Sequence, residues 1–150
     1  MTISEIAVLL KGNGLRATPQ RIAVYEYLRA HRTHPTADQI YHDLVARYPS
    51  FSKTTIYNSI RVLDEAGLIQ PVVIDGDFSR YDACTLPHGH FKCLCCGSIC
   101  DVFDCDWPDM PDSLADFKTQ RVMLHYYGIC PTCRAKQAQN TSAKRLVGND

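Results

Sequence analysis

Two Cys-x-x-Cys knuckles, Cys93-Leu-Cys-Cys96 and Cys130-Pro-Thr-Cys133, stand 33 residues apart and limit what this chain can fold into. Each knuckle delivers two thiolates to one point, and four thiolates at about 2.3 Å satisfy a tetrahedral zinc ion. The separation exceeds that of a common zinc ribbon. A shared ion would therefore staple the start of a small domain to its end, and its binding energy would be folding energy. Gly97 follows the first knuckle and relaxes its tight turn. A disulfide framework is the competing use of eight cysteines, but it belongs to oxidising compartments. The first residues, Met1-Thr-Ile-Ser-Glu, lack the basic and apolar regions of a secretory signal, and no apolar run is long enough to span a bilayer. The expected location is the cytoplasm, where cysteines at this spacing bind metal.

A second donor set surrounds the first knuckle. His88-Gly-His90 precedes it and Asp101 follows it. On a strand, His88 and His90 would share a face. Asp82 lies just before the stretch, and His34 lies well upstream. Three imidazoles and two carboxylates suit Fe(II), Mn(II) or Zn(II). By spacing alone, His88-Gly-His90 fits a surface turn equally well, and Asp82 an ordinary hairpin charge.

Upstream the pattern is helical. Ile3, Ile6, Leu9 and Leu10 share a helical face that stops at Gly12 and Gly14. Thr18-Pro19 is a capped helix start, and Thr36 with Gln39 has the spacing of a capping box. Ser52 opens a further helix, with Ile56, Ile60 and Leu63 as its buried stripe and Gly67 as its end. Lys53, Thr54, Thr55, Tyr57, Asn58 and Arg61 lie largely off that stripe, and these residue types contact phosphates and base edges. Two strands, 68–74 and 79–83, flank the hairpin signal Asp75-Gly76-Asp77. Helices followed by a hairpin make a winged helix-turn-helix with residues 52–65 as recognition helix. Arg16 and Arg21, near a helix start, could add phosphate contacts. Charge offers no support: residues 1–83 carry nine Lys/Arg and nine Asp/Glu, and the net charge of the chain is zero. Nucleic-acid binding must therefore rest on motif and local placement. The plainer alternative is a small helical domain with a polar surface.

The expected fold class is α+β, a winged helix-turn-helix domain followed by a small α/β domain with a structural zinc site. The expected divisions are 1–83, 84–136 and a flexible polar tail at 137–150. Short alternating segments at 90–93, 98–103 and 121–127 suggest a small sheet, and 113–117 a short helix. Cys84, Cys95, Cys100 and Cys105 fall outside the knuckles and read as small apolar fillers, with thiol redox sensing as the alternative.

From Leu15 to Cys133 the chain resembles the ferric uptake regulator (Fur) family. The resemblance is carried by residues 14–21 (Gly-Leu-Arg-Ala-Thr-Pro-Gln-Arg), His34-Pro-Thr-Ala-Asp38, Thr55-Ile-Tyr57-Asn58, Arg61-Val-Leu63, Gly67-Leu68, Tyr81-Asp82, His88-Gly-His90 and the paired knuckles. It implies a homodimer that binds double-stranded operator DNA, with the C-terminal α/β domain as a small α/β dimerisation domain. It also implies structural Zn(II) on Cys93, Cys96, Cys130 and Cys133, and a regulatory metal at the domain junction. In the peroxide-sensing, PerR-like branch the regulatory ion, Fe(II) or Mn(II), is held by three histidines and two aspartates. Those roles fall on His34, Asp82, His88, His90 and Asp101, with His34 and His88 as the implied oxidation targets. Iron-sensing members usually carry glutamates at the positions of Asp82 and Asp101. Many have a further site where this chain has Pro87, Gly89 and Val122, which offer no side-chain donors. Zinc-sensing members usually use a cysteine, and Cys84 is the nearest candidate.

The expected function is a metal-dependent transcriptional repressor, peroxide-sensing and not a turnover enzyme. DNA contacts are expected from Lys53, Thr55, Tyr57, Asn58, Arg61, Arg16 and Arg21. An iron- or zinc-responsive uptake regulator is the alternative. A zinc enzyme built on His88, His90 and Asp101 is the remote one, since no glutamate stands beside the histidine pair as a base and no His-Glu-x-x-His helix exists.

Overall fold

The computed structural model describes residues 1–76 and 78–146. It divides into two compact units, Met1–Leu86 and Pro87–Asp150.

Unit 1 is four helices and a two-stranded wing: α1 (Ile3–Gly12), α2 (Pro19–Ala30), α3 (Ala37–Arg47), α4 (Lys53–Glu65), β1 (Gln70–Asp75) and β2 (Phe78–Asp82). Each helix start has a local cause. Thr2 and Glu5 close a capping box on α1, as Thr36 and Gln39 do on α3. Thr18 accepts from the Arg21 N–H ahead of Pro19, and Ser52 accepts from the Thr55 N–H. At the end of α4, Gly67 takes φ +67°, and the amides of Gly67 and Leu68 return to the carbonyls of Asp64 and Leu63 at 2.8 and 3.0 Å. That pattern needs a left-handed residue, and glycine adopts it without strain. The core draws one stripe from each helix: Ile6 and Leu10, Val24 and Leu28, Ile40 and Leu44, Ile56, Ile60 and Leu63. Ile60→Ala or Leu63→Ala is expected to destabilise unit 1 by about 2–5 kcal/mol, seen as a lower denaturant midpoint at unchanged zinc content.

The wing is an antiparallel pair with Gln70 opposite Asp82 and Val72 opposite Arg80. Its turn bears Gly76 at φ +67°, while Asp77 of the expected Asp75-Gly76-Asp77 signal lies outside the described residues. The wing also grips the loop before α3. The Tyr81 amide donates to the Pro35 carbonyl at 3.0 Å, and the Arg80 guanidinium donates to the His34 carbonyl at 3.0 Å.

Unit 2 is a three-stranded sheet of order β4-β3-β5. Central β3 (Gly89–Cys93) runs antiparallel to β4 (Ile99–Val102) and parallel to β5 (His125–Gly128). The parallel pair needs a long crossover, and it contains a 3₁₀ turn at Asp112–Leu114 in place of the expected short helix at 113–117. Strand β5 starts at His125 and not at residue 121, because β3 begins pairing only at Gly89 and His90. Helix α5 spans Pro131–Leu146, so 137–146 is helical where a tail was expected, and 147–150 lie outside the described residues. The segment is rich in Ala, Gln, Lys and Arg, all good helix formers, and Pro131 suits the first helical turn.

The interior of unit 2 is thin. Among its described side chains, only His88, His90, Cys93, Ile99 and Cys133 are buried. Four of those five are metal-donor types, so ligation must do what apolar packing does in unit 1. Among the described residues, no helix is long and apolar enough to cross a membrane.

Candidate metal centres

The four knuckle cysteines meet in unit 2. Cys93 ends β3, Cys96 sits in the following turn, Cys130 precedes α5 and Cys133 lies in its first turn. Their sulfurs all lie within 4.8 Å of one another. The Sγ atoms of Cys96 and Cys130 are 3.9 Å apart. Four sulfurs about 2.3 Å from a tetrahedral zinc would be spaced by roughly 3.8 Å, so the donors fit the ion. Gly97 reaches φ +73° to turn the knuckle, with its amide on the Cys93 carbonyl at 2.9 Å.

The surroundings favour thiolates. The Cys130 amide donates to Cys93 Sγ at 3.3 Å and is the main reason the Cys93 pKa falls to about 6. The Ser98 hydroxyl, 3.1 Å from Cys96 Sγ, lowers that thiol too. Cys133 is pushed upward, first by its hydrogen bond with Cys130 and further by the other sulfurs. Clustered thiolates resist the last ionisation until a cation compensates them. Ser98 was not singled out from the sequence, although a hydroxyl two residues past a knuckle cysteine is a usable signal.

The remaining cysteines are free thiols. Cys95 and Cys100 are exposed, so the apolar-filler reading fails for them, whereas Cys105 is half-buried and donates to the Val102 carbonyl at 3.2 Å.

The His/Asp donors are prepared in each unit separately. In unit 1, His34 and Asp82 bring donor atoms within 4.8 Å of each other. His34 is the one non-glycine residue with positive φ among the described residues, at +50°. Such a conformation is costly and persists only where surrounding contacts enforce it, here the Arg80 and Tyr81 clamp on its loop. Asp82 ends β2, and its Oδ1 accepts the Cys84 amide at 2.8 Å. Gln70 donates to the Cys84 carbonyl at 2.6 Å and lies 3.5 Å from Asp82 Oδ2, fixing the turn around the carboxylate. Arg80 and Gln70 do this positioning, and only the strand register reveals it.

In unit 2, His90 faces Asp101 across the β3–β4 pair, and His88 precedes them on the same face. The Nε2 atoms of His88 and His90 are 3.1 Å apart. Asp101 Oδ1 lies 3.4 Å from the first and 3.9 Å from the second. Donors about 2.1 Å from one ion, at angles of 90–109°, lie about 3.0–3.4 Å apart. The two separations made by His88, 3.1 and 3.4 Å, fall in that range, while the 3.9 Å between His90 Nε2 and Asp101 Oδ1 is wider, so His88 is where the three donors converge. The His88 ring stacks on Phe103 at 5.0 Å, which fixes its orientation.

The outer face of α4 presents Lys53, Tyr57, Asn58 and Arg61, all exposed, with Thr55 half-buried against Ser52. These cations are locally neutralised. Lys53 Nζ is 2.6 Å from Asp38 Oδ1, and Tyr57 donates to the same oxygen at 2.9 Å. Arg61 pairs with Glu65 at 2.6 Å. Arg16 is exposed, while Arg21 is half-buried and donates to the Arg16 carbonyl at 3.1 Å. Asp38 had no sequence signal as a partner of α4, since the contact bridges two helices.

Comparison with known proteins agrees with this architecture. The profile described as the ferric uptake regulator family matches residues 12–127. The chain is 39% identical over 139 residues to the peroxide operon regulator of Bacillus subtilis strain 168, covering 90% of this chain and 95% of that one. It is 39% identical over 131 residues to the peroxide-responsive repressor PerR of Staphylococcus saprophyticus, covering 85% and 88%. Among solved structures, PerR from Streptococcus pyogenes is 32% identical with a TM-score of 0.50, covering 87% and 92%. The Helicobacter pylori ferric uptake regulator shares the fold at a TM-score of 0.62 and 20% identity, covering 89% and 95%. A winged helix-turn-helix unit, a small sheet carrying the cysteine cluster, and these matches lead to one conclusion: the chain belongs to the ferric uptake regulator family.

Proposed function

We propose that this chain is a homodimeric, metal-dependent repressor that binds operator DNA and releases it on exposure to peroxide. Zinc on Cys93, Cys96, Cys130 and Cys133 holds unit 2 together. A regulatory Fe(II) or Mn(II) ion is held by His34, Asp82, His88, His90 and Asp101. The approach of His88 Nε2 to His90 Nε2 and to Asp101 Oδ1 at ligand spacing carries this reading. Relatives named for peroxide response, at 39% identity over most of the chain, support the branch. Aspartates at both carboxylate positions agree with it.

The donors explain the coupling. His34 and Asp82 belong to the DNA-binding unit, and His88, His90 and Asp101 to the other. Residues of both units sharing one ion lock the two recognition helices of a dimer into a fixed spacing. Half-sites one helical turn apart require about 34–36 Å between them. Loss of any donor frees the units, and the DNA-competent population falls. An Fe(II) ion held there supplies the redox chemistry that activates hydrogen peroxide, which Mn(II) does not. The implied outcome on His34 or His88 is one peroxide oxygen added to a ring carbon and the other leaving as water. An oxidised imidazole is a poorer donor, so the grip on unit 1 is lost.

Unit 2 exposes Phe103, Phe117, Tyr126, Tyr127 and Ile129, and β5 is an edge strand. Apolar side chains beside an open edge suit a second copy of the chain. On α4, DNA phosphates replace the carboxylates that hold Lys53 and Arg61. Tyr57 and Asn58 then face the bases, with Thr55, Arg16 and Arg21 near the backbone.

Arg61→Ala is expected to weaken operator binding by about 1–3 kcal/mol with metal content unchanged. Loss of zinc in that variant would mark Arg61 as structural instead. Operator binding titrated with Mn(II) tests the proposal itself: binding should rise steeply with Mn(II) and saturate at one regulatory ion per chain. Equal binding with and without the ion would overturn it.

A further inference from the structure

His125 has no part in the roles above. It opens β5 in parallel register with His90, so the two side chains leave neighbouring strands on one face of the sheet. Their rings meet edge to face, with centroids 5.9 Å apart. The Nε2 of His125 is sealed from solvent and makes no hydrogen bond. A buried, unpartnered imidazole nitrogen is costly and calls for an explanation.

His90, Asp101 and His125 sit at paired positions of the three strands, and His88 lies just before β3 with its Nε2 3.1 Å from that of His90, so three imidazoles and one carboxylate gather within unit 2. Four nitrogen and oxygen donors complete a tetrahedral zinc shell, whereas Mn(II) favours six oxygen-rich ligands. We propose that His125 is a reserve metal donor, which lets unit 2 alone hold a four-coordinate divalent ion of the Zn(II) or Co(II) type. The inference rests on the regulatory-site reading above and deepens it.

The consequence is selectivity by coordination number. An ion satisfied by His88, His90, His125 and Asp101 makes no demand on His34 or Asp82. It occupies the site without favouring the DNA-competent shape. An ion that needs more donors recruits unit 1 and does favour it. The His125 ring lies edge to face with that of His90 but outside the group of donor atoms within 4.8 Å of one another, so engagement requires its side chain to rotate.

Co(II) added to full-length protein with its cysteine site filled by zinc is the probe, because its visible absorption is strong when four-coordinate and weak at higher coordination. The variant His34→Ala/Asp82→Asn should still bind one Co(II) with the strong band. Adding His125→Phe should weaken that Co(II) at least 10-fold and abolish the strong band. Two results would overturn the proposal: no Co(II) bound by the double variant, or affinity and spectrum unchanged by His125→Phe. If His125→Phe lowers the structural zinc content, His125→Leu is read by the same criteria. Failure of the underlying five-donor reading shows separately, as Mn(II)-dependent DNA binding that survives in His34→Ala/Asp82→Asn.

Discussion

Cys93→Ser is expected to strip the zinc from unit 2 and to unfold that unit while leaving unit 1 folded. Cys93 is fully buried at the end of the central strand, and its sulfur accepts the Cys130 amide that leads into α5. Apart from donor side chains, the described interior of unit 2 offers only Ile99. Structural zinc in small domains contributes about 10–16 kcal/mol of apparent binding energy, comparable with the whole stability of a typical domain, so no other interaction here can replace it. Metal analysis should fall from one zinc per chain to almost none. Hydrogen exchange should lose protection across β3, β4 and β5 while α2 and α4 stay protected. Protection retained in unit 2 without zinc would show that the sheet does not depend on the ion.

His88→Ala is expected to leave the zinc and the fold in place and to remove regulation. His88 Nε2 is 3.1 Å from His90 Nε2 and 3.4 Å from Asp101 Oδ1, at the meeting point of the donors. Outer-sphere changes at metal sites typically cost 10–100-fold in affinity, and a direct ligand should cost at least about 100-fold. The Mn(II) concentration needed for half-maximal operator binding should rise by that factor. Asp101→Ala should behave alike, because its carboxylate faces both imidazoles. Arg61→Ala differs in kind: it weakens DNA binding at every Mn(II) concentration and leaves the midpoint where it was.

Local chemistry made unit 1 legible in the sequence. Thr18, Thr36 and Ser52 each cap the helix they were expected to cap, since a cap depends on three neighbouring residues. The knuckles were legible because metal spacing is also local. Contacts between segments distant in sequence were not. Nothing in the chain announces that Asp38 holds Lys53 and Tyr57, or that Arg80 clamps the His34 loop. The positive φ of His34 leaves no trace in the sequence, because histidine enters that region more readily than most residues yet adopts it only rarely. His125 escaped notice because its neighbour, His90, is reached only through the parallel β3–β5 pairing. Helix α5 was missed because a polar segment without an apolar stripe reads as a tail until its first turn is tied down through Cys130 and Cys133. The five-residue regulatory set was ambiguous from spacing, and family resemblance singled it out. For His88 and His90 alone, the 3.1 Å approach of their Nε2 atoms speaks against the surface-turn reading that spacing left open.

The most direct test of peroxide sensing compares operator binding by the zinc-loaded protein carrying Fe(II) with binding by the same protein carrying Mn(II), before and after a brief pulse of hydrogen peroxide. Mass spectrometry of the peptides containing His34 and His88 accompanies it. The expected result is that only the Fe(II) form releases DNA, with one added oxygen on one of those histidines. If both forms stay bound and neither peptide gains oxygen, the protein responds to metal supply and not to peroxide.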